Sequence, residues 1–233
     1  MRVASRPNHG SRWAGWAARV CLVLAVCLLA VTTAPLAWDT DRMSLAAQIR
    51  GPRAVAGLKA LLPVLTASTG ADETARVQNI NEFFNRRIVF RDDLEVWGQA
   101  DYWASPLEML DKGEGDCEDF AIGKYFSLLL AGVPVQKLRL VYVRAQLGGP
   151  EGPSQAHMVL AYYAQSAAEP LILDNLITEV RPASRRPDLS PVFSFNGEGL
   201  WQGTGSQNSG DPVARLSRWR DVLAKARAEG FQP

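Results

Sequence analysis

The chain has 233 residues, 47% of them apolar and 21% charged, with a formal net charge of +1. That balance excludes a disordered or fibrous chain and allows one substantial core. The charge is uneven: residues 1–38 hold four arginines and no acid, which leaves 21 basic against 24 acidic residues in the remainder and no basic stripe of the kind that binds nucleic acid.

The first 37 residues read as an export segment. Arg2, Arg6, Arg12 and Arg19 precede the unbroken apolar run 20–31, and TTAPLA follows with small residues at Ala34 and Ala37. A run of twelve is short for a spanning helix, which needs about 20 residues. Trp13, Ala14 and residues 16–18 extend the apolar character, so an uncleaved N-terminal anchor is the alternative to a cleaved signal peptide. Both place the rest of the chain outside the cytoplasm. Two of the three cysteines, Cys21 and Cys27, belong to this segment, so Cys117 has no partner for an internal disulfide. A lone thiol there is a reactive or intermolecular group, or else a buried inert one.

Residues 38–97 predict a helical N-terminal subdomain. Asp39 caps a helix that Gly51-Pro52 stops. A second runs over about 53–66, with Leu58, Leu61, Leu62 and Leu65 at helical spacing. Asp72 opens a third, with Val77, Ile80, Phe83 and Phe84 on one face. Residues 88–97 read as a loop or edge strand. Residues 98–202 carry the chemistry. There, Ser105-Pro106-Leu107-Glu108 has the pattern of a capped helix start. Tyr102 and Trp103 read either as core aromatics or, for Trp103, as an indole N–H placed to polarise a substrate carbonyl.

The stretch KGEGDCEDFAIGKY, residues 112–125, is the centre of the chain. A Gly-x-Gly turn delivers Asp116, Cys117, Glu118 and Asp119 to the start of a largely apolar helix that ends before Gly132-Val133-Pro134. Unpaired N–H groups and the helix dipole favour a thiolate at that position. Three carboxylates oppose it unless a cation neutralises them.

Strands follow. Residues 137–145, 157–164 and 170–176 alternate or run apolar, separated by turn-rich segments. If the last two form a hairpin reversing between Gln165 and Ser166, His157 lies directly opposite Asp174, with about 5 Å between Cβ atoms. A one-residue slip would put them on opposite faces. His157 is the only histidine beyond the export segment. A lone histidine beginning a strand has a plain structural reading. With Cys117 as nucleophile and Asp174 as orienting acid, it also completes a thiol acyl-transfer set, in which the backbone N–H of Cys117 is an oxyanion donor. Residues 192–195 and 200–201 predict a hairpin. Residues 203–233 predict a flexible loop and a closing helix over 213–229.

A Cys helix packed on an antiparallel sheet that carries His and Asp is the arrangement of the papain and transglutaminase superfamily, an α+β class. The run DYWASPLEMLDKGEGDCEDFAIGKYFSLLLAGVP, followed by KLRLVYV, AHMVLAYY and LILDNL, closely resembles the bacterial transglutaminase-like cysteine proteases of the LapG type. The resemblance spans about residues 79–201. It implies a transglutaminase-like catalytic core with Cys117, His157 and Asp174 as triad. It implies Ca2+ as cofactor, held by Asp116 and Glu118, with Asp119 a weaker ligand. It also implies a periplasmic enzyme that cuts near the N-terminus of a large surface adhesin, commonly beside an Ala-Ala pair, and so disperses biofilm. An inner-membrane cyclic di-GMP receptor would sequester it.

The residues support the metal in their own right. Three acids beside a thiolate repel one another when bare, and calcium prefers carboxylate and carbonyl oxygens. A soft metal would take Cys117 and His157 out of catalysis. The plain alternative is that Asp116 or Glu118 caps the helix. Two further readings of the whole chain remain at this stage: an acyl transferase using the same triad, and a metal-organised binding module in which Cys117 is incidental.

Overall fold

The computed structural model describes Met1, residues 38–149 and residues 151–231. The export segment expected over residues 1–37 lies outside the described residues, Met1 apart. Among the described residues no helix is long and apolar enough to cross a membrane.

Three helices open the described chain, each started by the residue the sequence offers. α1 (Thr40–Arg50) begins where the Asp39 side chain accepts from the Arg42 N–H, and α2 (Pro52–Thr69) has proline in its first position. α3 (Glu73–Arg87) is capped by Asp72, which accepts from the Ala75 N–H at 2.8 Å. Their apolar stripes, Leu58, Leu61 and Leu65 on α2 and Val77, Ile80 and Phe84 on α3, are buried in the main core. Burying each such side chain contributes about 1.5–3 kcal/mol.

Residues 88–97, expected as loop or edge strand, are two elements. β1 (Val89–Phe90) is followed by a short helix, α4 (Asp93–Trp97), which ends at Gly98 in the left-handed conformation. The helix is one turn long, too short for a periodic pattern to show. α5 (Pro106–Lys112) starts in the expected capping box, with Ser105 and Glu108 each bonding the other's backbone N–H. β2 (Glu114–Gly115) then pairs in parallel with β1 and leads into α6 (Cys117–Leu130). Helix α6 is buried almost throughout, from Asp119 to Leu130. Its close fit depends on Gly123, where a Cβ would meet the Met109 methyl and come within 2.8 Å of the Phe84 ring.

The sheet has seven strands: β3 (Leu138–Gln146), β4 (Ser154–Tyr162), β5 (Leu171–Leu173), β6 (Arg181–Pro182), β7 (Leu189–Phe195), β8 (Leu200–Gln202) and β9 (Asn208–Gly210). Their order is β6-β5-β4-β3-β7-β8-β9, and every neighbouring pair is antiparallel. Alternation along the strands divides the sheet into two faces. Leu138, Leu140, Met158, Leu160, Leu173 and Phe195 share the main core with α6, whereas Val141, Val143, Val159, Ala161 and Ile172 form a second, smaller cluster. The expected hairpin around 196–199 is present, with Phe195 opposite Leu200. The following stretch, expected as loop alone, also supplies β9, a three-residue strand of Asn-Ser-Gly that apolar alternation does not reveal.

The closing helix is broken in two, α7 (Pro212–Arg215) and α8 (Ser217–Ala228), at Leu216, whose backbone is extended. Gly230 ends α8 as expected, with φ of 81°. Trp219 of α8 is fully buried between Tyr125, Phe126 and Phe195, at ring-centroid distances of 5.5, 5.8 and 5.3 Å. Aromatic contacts of this kind add about 0.5–1.5 kcal/mol each beyond the area they bury. They fasten α8, the Cys helix and the sheet to one another. The result is the expected α+β architecture, N-terminal helices plus a Cys-bearing helix on an antiparallel sheet.

Candidate active site

The turn before α6 places the thiol. Gly113 ends α5 in the left-handed conformation, with φ of 70°, and the two residues of β2 carry the chain to Asp116. Asp116 occupies the N-cap position, but its side chain makes no capping bond, so the plain helix-cap reading does not account for it. Cys117 is the first residue of α6 and stays partly exposed. Its thiol donates to Glu118 Oε2 at 2.7 Å. The N–H of Met158 in β4, the residue next to His157, faces the sulfur. Burial first, then the Glu118 charge, pushes the thiol pKa up, while the Met158 N–H pulls it down.

His157 and Asp174 meet, though not as directly opposed residues. Leu160 faces Leu173, Ala161 faces Ile172 and Tyr162 faces Leu171, a pairing displaced by two residues from the expected register. A displacement of two preserves the face each side chain occupies. Asp174 has left β5, which ends at Leu173, and its Oδ1 sits 2.7 Å from His157 Nε2. Both residues are buried. Asp174 is fully engaged: Oδ1 also accepts from the Leu176 N–H at 3.1 Å, and Oδ2 accepts from Arg186 Nη2 at 2.7 Å. Asn85 of α3 donates to the Asp174 carbonyl at 2.8 Å, which holds the loop in place. Burial works against ionisation of Asp174, but the bonds and charge of His157, the Leu176 N–H and Arg186 outweigh it and hold its pKa down to about 2.

On the other side of Cys117 the acids form a second constellation. Ligand-capable oxygens of Asp93, Asp116 and Asp119 lie within 4.8 Å of one another. One oxygen of each, Asp93 Oδ1, Asp116 Oδ1 and Asp119 Oδ2, is buried without a hydrogen-bond partner among the described residues. Glu118 groups instead with Asp116 and Cys117. Burial pushes Asp93 up to about 6. Burial and the charges of Glu118 and Asp119 push Asp116 up to about 9, and burial drives Asp119 well above the usual carboxylate range. Three clustered carboxylates, each with an unpartnered buried oxygen, fit a hard divalent cation, which would supply the missing partners.

The same acids grip the segment that carries Trp103. Asp93 accepts the Tyr102 N–H, and Asp119 Oδ1 accepts the Ala104 N–H at 2.7 Å. Lys225 Nζ of α8 bonds the Trp103 carbonyl at 2.7 Å. The indole stacks on Phe195 at 5.7 Å, and its N–H is buried without a partner among the described residues.

Sequence reasoning missed Asp93 and Arg186. Asp93 opens a one-turn helix, and its burial was the missing signal. Arg186 is separated from Asp174 by β6 and a turn, and nothing in its local pattern distinguishes it from a surface arginine.

Comparison with known proteins bears on this site. The family model of the bacterial transglutaminase-like cysteine proteinases (BTLCP) matches residues 62–187. A solved structure of Legionella pneumophila LapG treated with EGTA is similar at a TM-score of 0.71 and 37% identity, over 82% of this chain and 99% of that one. A second structure of that protein is similar at 0.68 and 36%, over 82% and 99%. Its calcium-bound form is similar at 0.68 and 35%, over 79% and 97%. No match was found among curated protein sequences.

Proposed function

The chain belongs to the bacterial transglutaminase-like cysteine proteinases, and from that premise we propose that it is a calcium-dependent periplasmic endopeptidase. Its substrate in this reading is the N-terminal region of a large surface adhesin, whose release disperses biofilm. An inner-membrane cyclic di-GMP receptor holds the enzyme back by sequestration. The arginine-led apolar segment at residues 2–31 and the single cysteine beyond it support export. The substrate and receptor are what the resemblance of residues 79–201 to the LapG type implies.

One observation carries the catalytic reading: His157 and Asp174 form a buried pair 2.7 Å apart, and Met158, the residue next to His157, turns its N–H toward the Cys117 sulfur. In the mechanism Cys117 passes its proton to His157 and attacks the scissile carbonyl, forming the S–C bond. Asp174 occupies Nε2, so Nδ1 is the nitrogen left to exchange that proton. The Cys117 backbone N–H and the Trp103 indole N–H are the candidate donors to the oxyanion. The imidazolium then protonates the leaving amine as the C–N bond breaks. Water, deprotonated by the neutral imidazole, hydrolyses the thioester and returns the thiol.

Asp93, Asp116 and Asp119 are the residues that would hold calcium, with Glu118 beside them. Calcium, when bound, supplies positive charge that offsets the acids flanking the thiol and gives their orphaned oxygens a partner. Because Asp93 and Asp119 hold the backbone on either side of Trp103, order in the acid cluster is passed to that arm.

The test is incubation of the purified full chain with the N-terminal region of an adhesin from the same organism, with calcium and with EGTA, beside Cys117→Ala. Cleavage that needs both calcium and Cys117 is expected. Adhesin release by Cys117→Ala would leave only a non-catalytic role.

A further inference from the structure

Asp174 hangs from a loop that the sheet does not hold. Strand β5 ends at Leu173 and β6 begins at Arg181, so Asp174 is the first residue beyond the ladder. Among the described residues no turn or loop bond between backbone groups holds residues 174–180. The bonds from His157 and Arg186 fix the carboxylate, but not the backbone that carries it.

The backbone is held instead by two asparagines of α3. Asn85 Nδ2 donates to the Asp174 carbonyl at 2.8 Å, and Asn81 Nδ2 donates to the Thr178 carbonyl at 2.7 Å. The two stand four residues apart, on one face of the helix, and Asn85 Nδ2 also donates to Asn81 Oδ1 at 3.3 Å. Carbonyl oxygens only accept, so these partners fix which end of each amide points at the loop. Helix α3 and the loop do not close on each other here. A polar cleft of about 480 Å³ lies between them, with Gln78, Asn81, Glu82 and Asn85 on one side and Thr178 and Glu179 on the other. Asn85 keeps its donor at a cost, because its own Oδ1 is buried without a partner among the described residues. Groups kept at such a cost are concentrated at functional sites.

We propose that Asn85, oriented by Asn81, is a positioning residue for the triad: it fixes the backbone of Asp174 so that the carboxylate stays on His157, and it makes α3 part of the catalytic apparatus. Catalytic groups have to be held within about 0.5 Å of their productive geometry, and a misplacement of about 1 Å can cost about a hundredfold in rate. The proposal rests on the protease reading, because it presumes that the His157–Asp174 pair serves Cys117.

The experiment uses the calcium-loaded full chain beside Asn85→Ala, Asn85→Asp and Asn81→Ala. Asn85→Asp keeps the shape of the side chain and turns an acceptor on the Asp174 carbonyl. Two quantities are read: steady-state cleavage of the adhesin N-terminal region, and the low-field proton NMR signal of the His157–Asp174 hydrogen bond. In both Asn85 variants kcat per folded molecule is expected to fall about tenfold or more, with KM within about twofold of the wild type. The low-field signal is expected to broaden or move. Asn81→Ala leaves the Asn85 donor in place without its orienting partner, so the same changes are expected at smaller size. A merely structural role would lower stability in chemical unfolding while kcat per folded molecule and the NMR signal stayed in place, and that result would overturn the assignment. Where an Asn85 variant does not fold, Asn81→Ala decides in its stead by the same two readings. A wild type that fails to cleave counts against the protease itself, whereas a cleaving wild type matched by its Asn85 variants counts against Asn85 alone.

Discussion

Two buried charged sites flank the sulfur of Cys117, and they differ in one respect. On the sheet side, both oxygens of Asp174 are bonded, to His157, the Leu176 N–H and Arg186. On the helix side, Asp93, Asp116 and Asp119 each retain an orphaned oxygen among like charges. In the first site the chain itself supplies partners for both carboxylate oxygens and holds the group ionised. The second is complete only with a cation. Burial has opposite consequences in the two sites because Asp174 has counter-charge and partners for both oxygens, whereas the cluster has backbone N–H bonds at Asp93 and Asp119 but only like charges around them.

The largest effect is expected from breaking the complete site. Asp174→Asn leaves the buried Arg186 to the Asp188 carboxylate and His157 without its acid, which should destabilise toward the low end of a broken buried pair, about 3 kcal/mol, read from chemical unfolding. Activity should fall with it, since the imidazole loses its orienting acid. The incomplete site predicts the reverse sign. In calcium-stripped protein Asp116→Asn replaces a buried carboxyl that must be held protonated at neutral pH by an amide that needs no proton, so stability should rise or hold, while calcium affinity measured by calorimetry falls at least about tenfold.

The two sites also respond oppositely to pH. The Asp174 pKa lies below its unfolded value, so its stabilisation is present above about 4 and is lost as pH falls toward about 2. The Asp93 pKa lies above its unfolded value, so its contribution is complete below about 4 and is lost as pH rises through about 6. Calcium-stripped protein should thus melt at a higher temperature at pH 5 than at pH 7, and calcium should abolish that gain. The smallest effect calibrates the scale away from both sites: Asp72→Ala removes an exposed helix cap and should cost about 1 kcal/mol.

What could be read from the sequence divides along the same line. Local chemistry was legible. The caps at Asp39, Asp72 and Ser105 and the start of α6 at the Gly-x-Gly turn follow from residues a few positions apart. The facing of His157 and Asp174 survived a register displaced by two, because only parity decides the face. The long-range partners were not legible. Asp93 reaches the cluster across more than twenty residues, and Arg186 reaches Asp174 around β6. The extended backbone at Leu216 breaks the last helix where the apolar stripe reads as continuous.

The central claim is that His157 activates Cys117 once the flanking acids are neutralised. The rate at which iodoacetamide alkylates Cys117 at neutral pH tests it directly. The account predicts fast labelling in calcium, slow labelling in EGTA, and slow labelling in His157→Ala with calcium present. Equal rates in all three would contradict it.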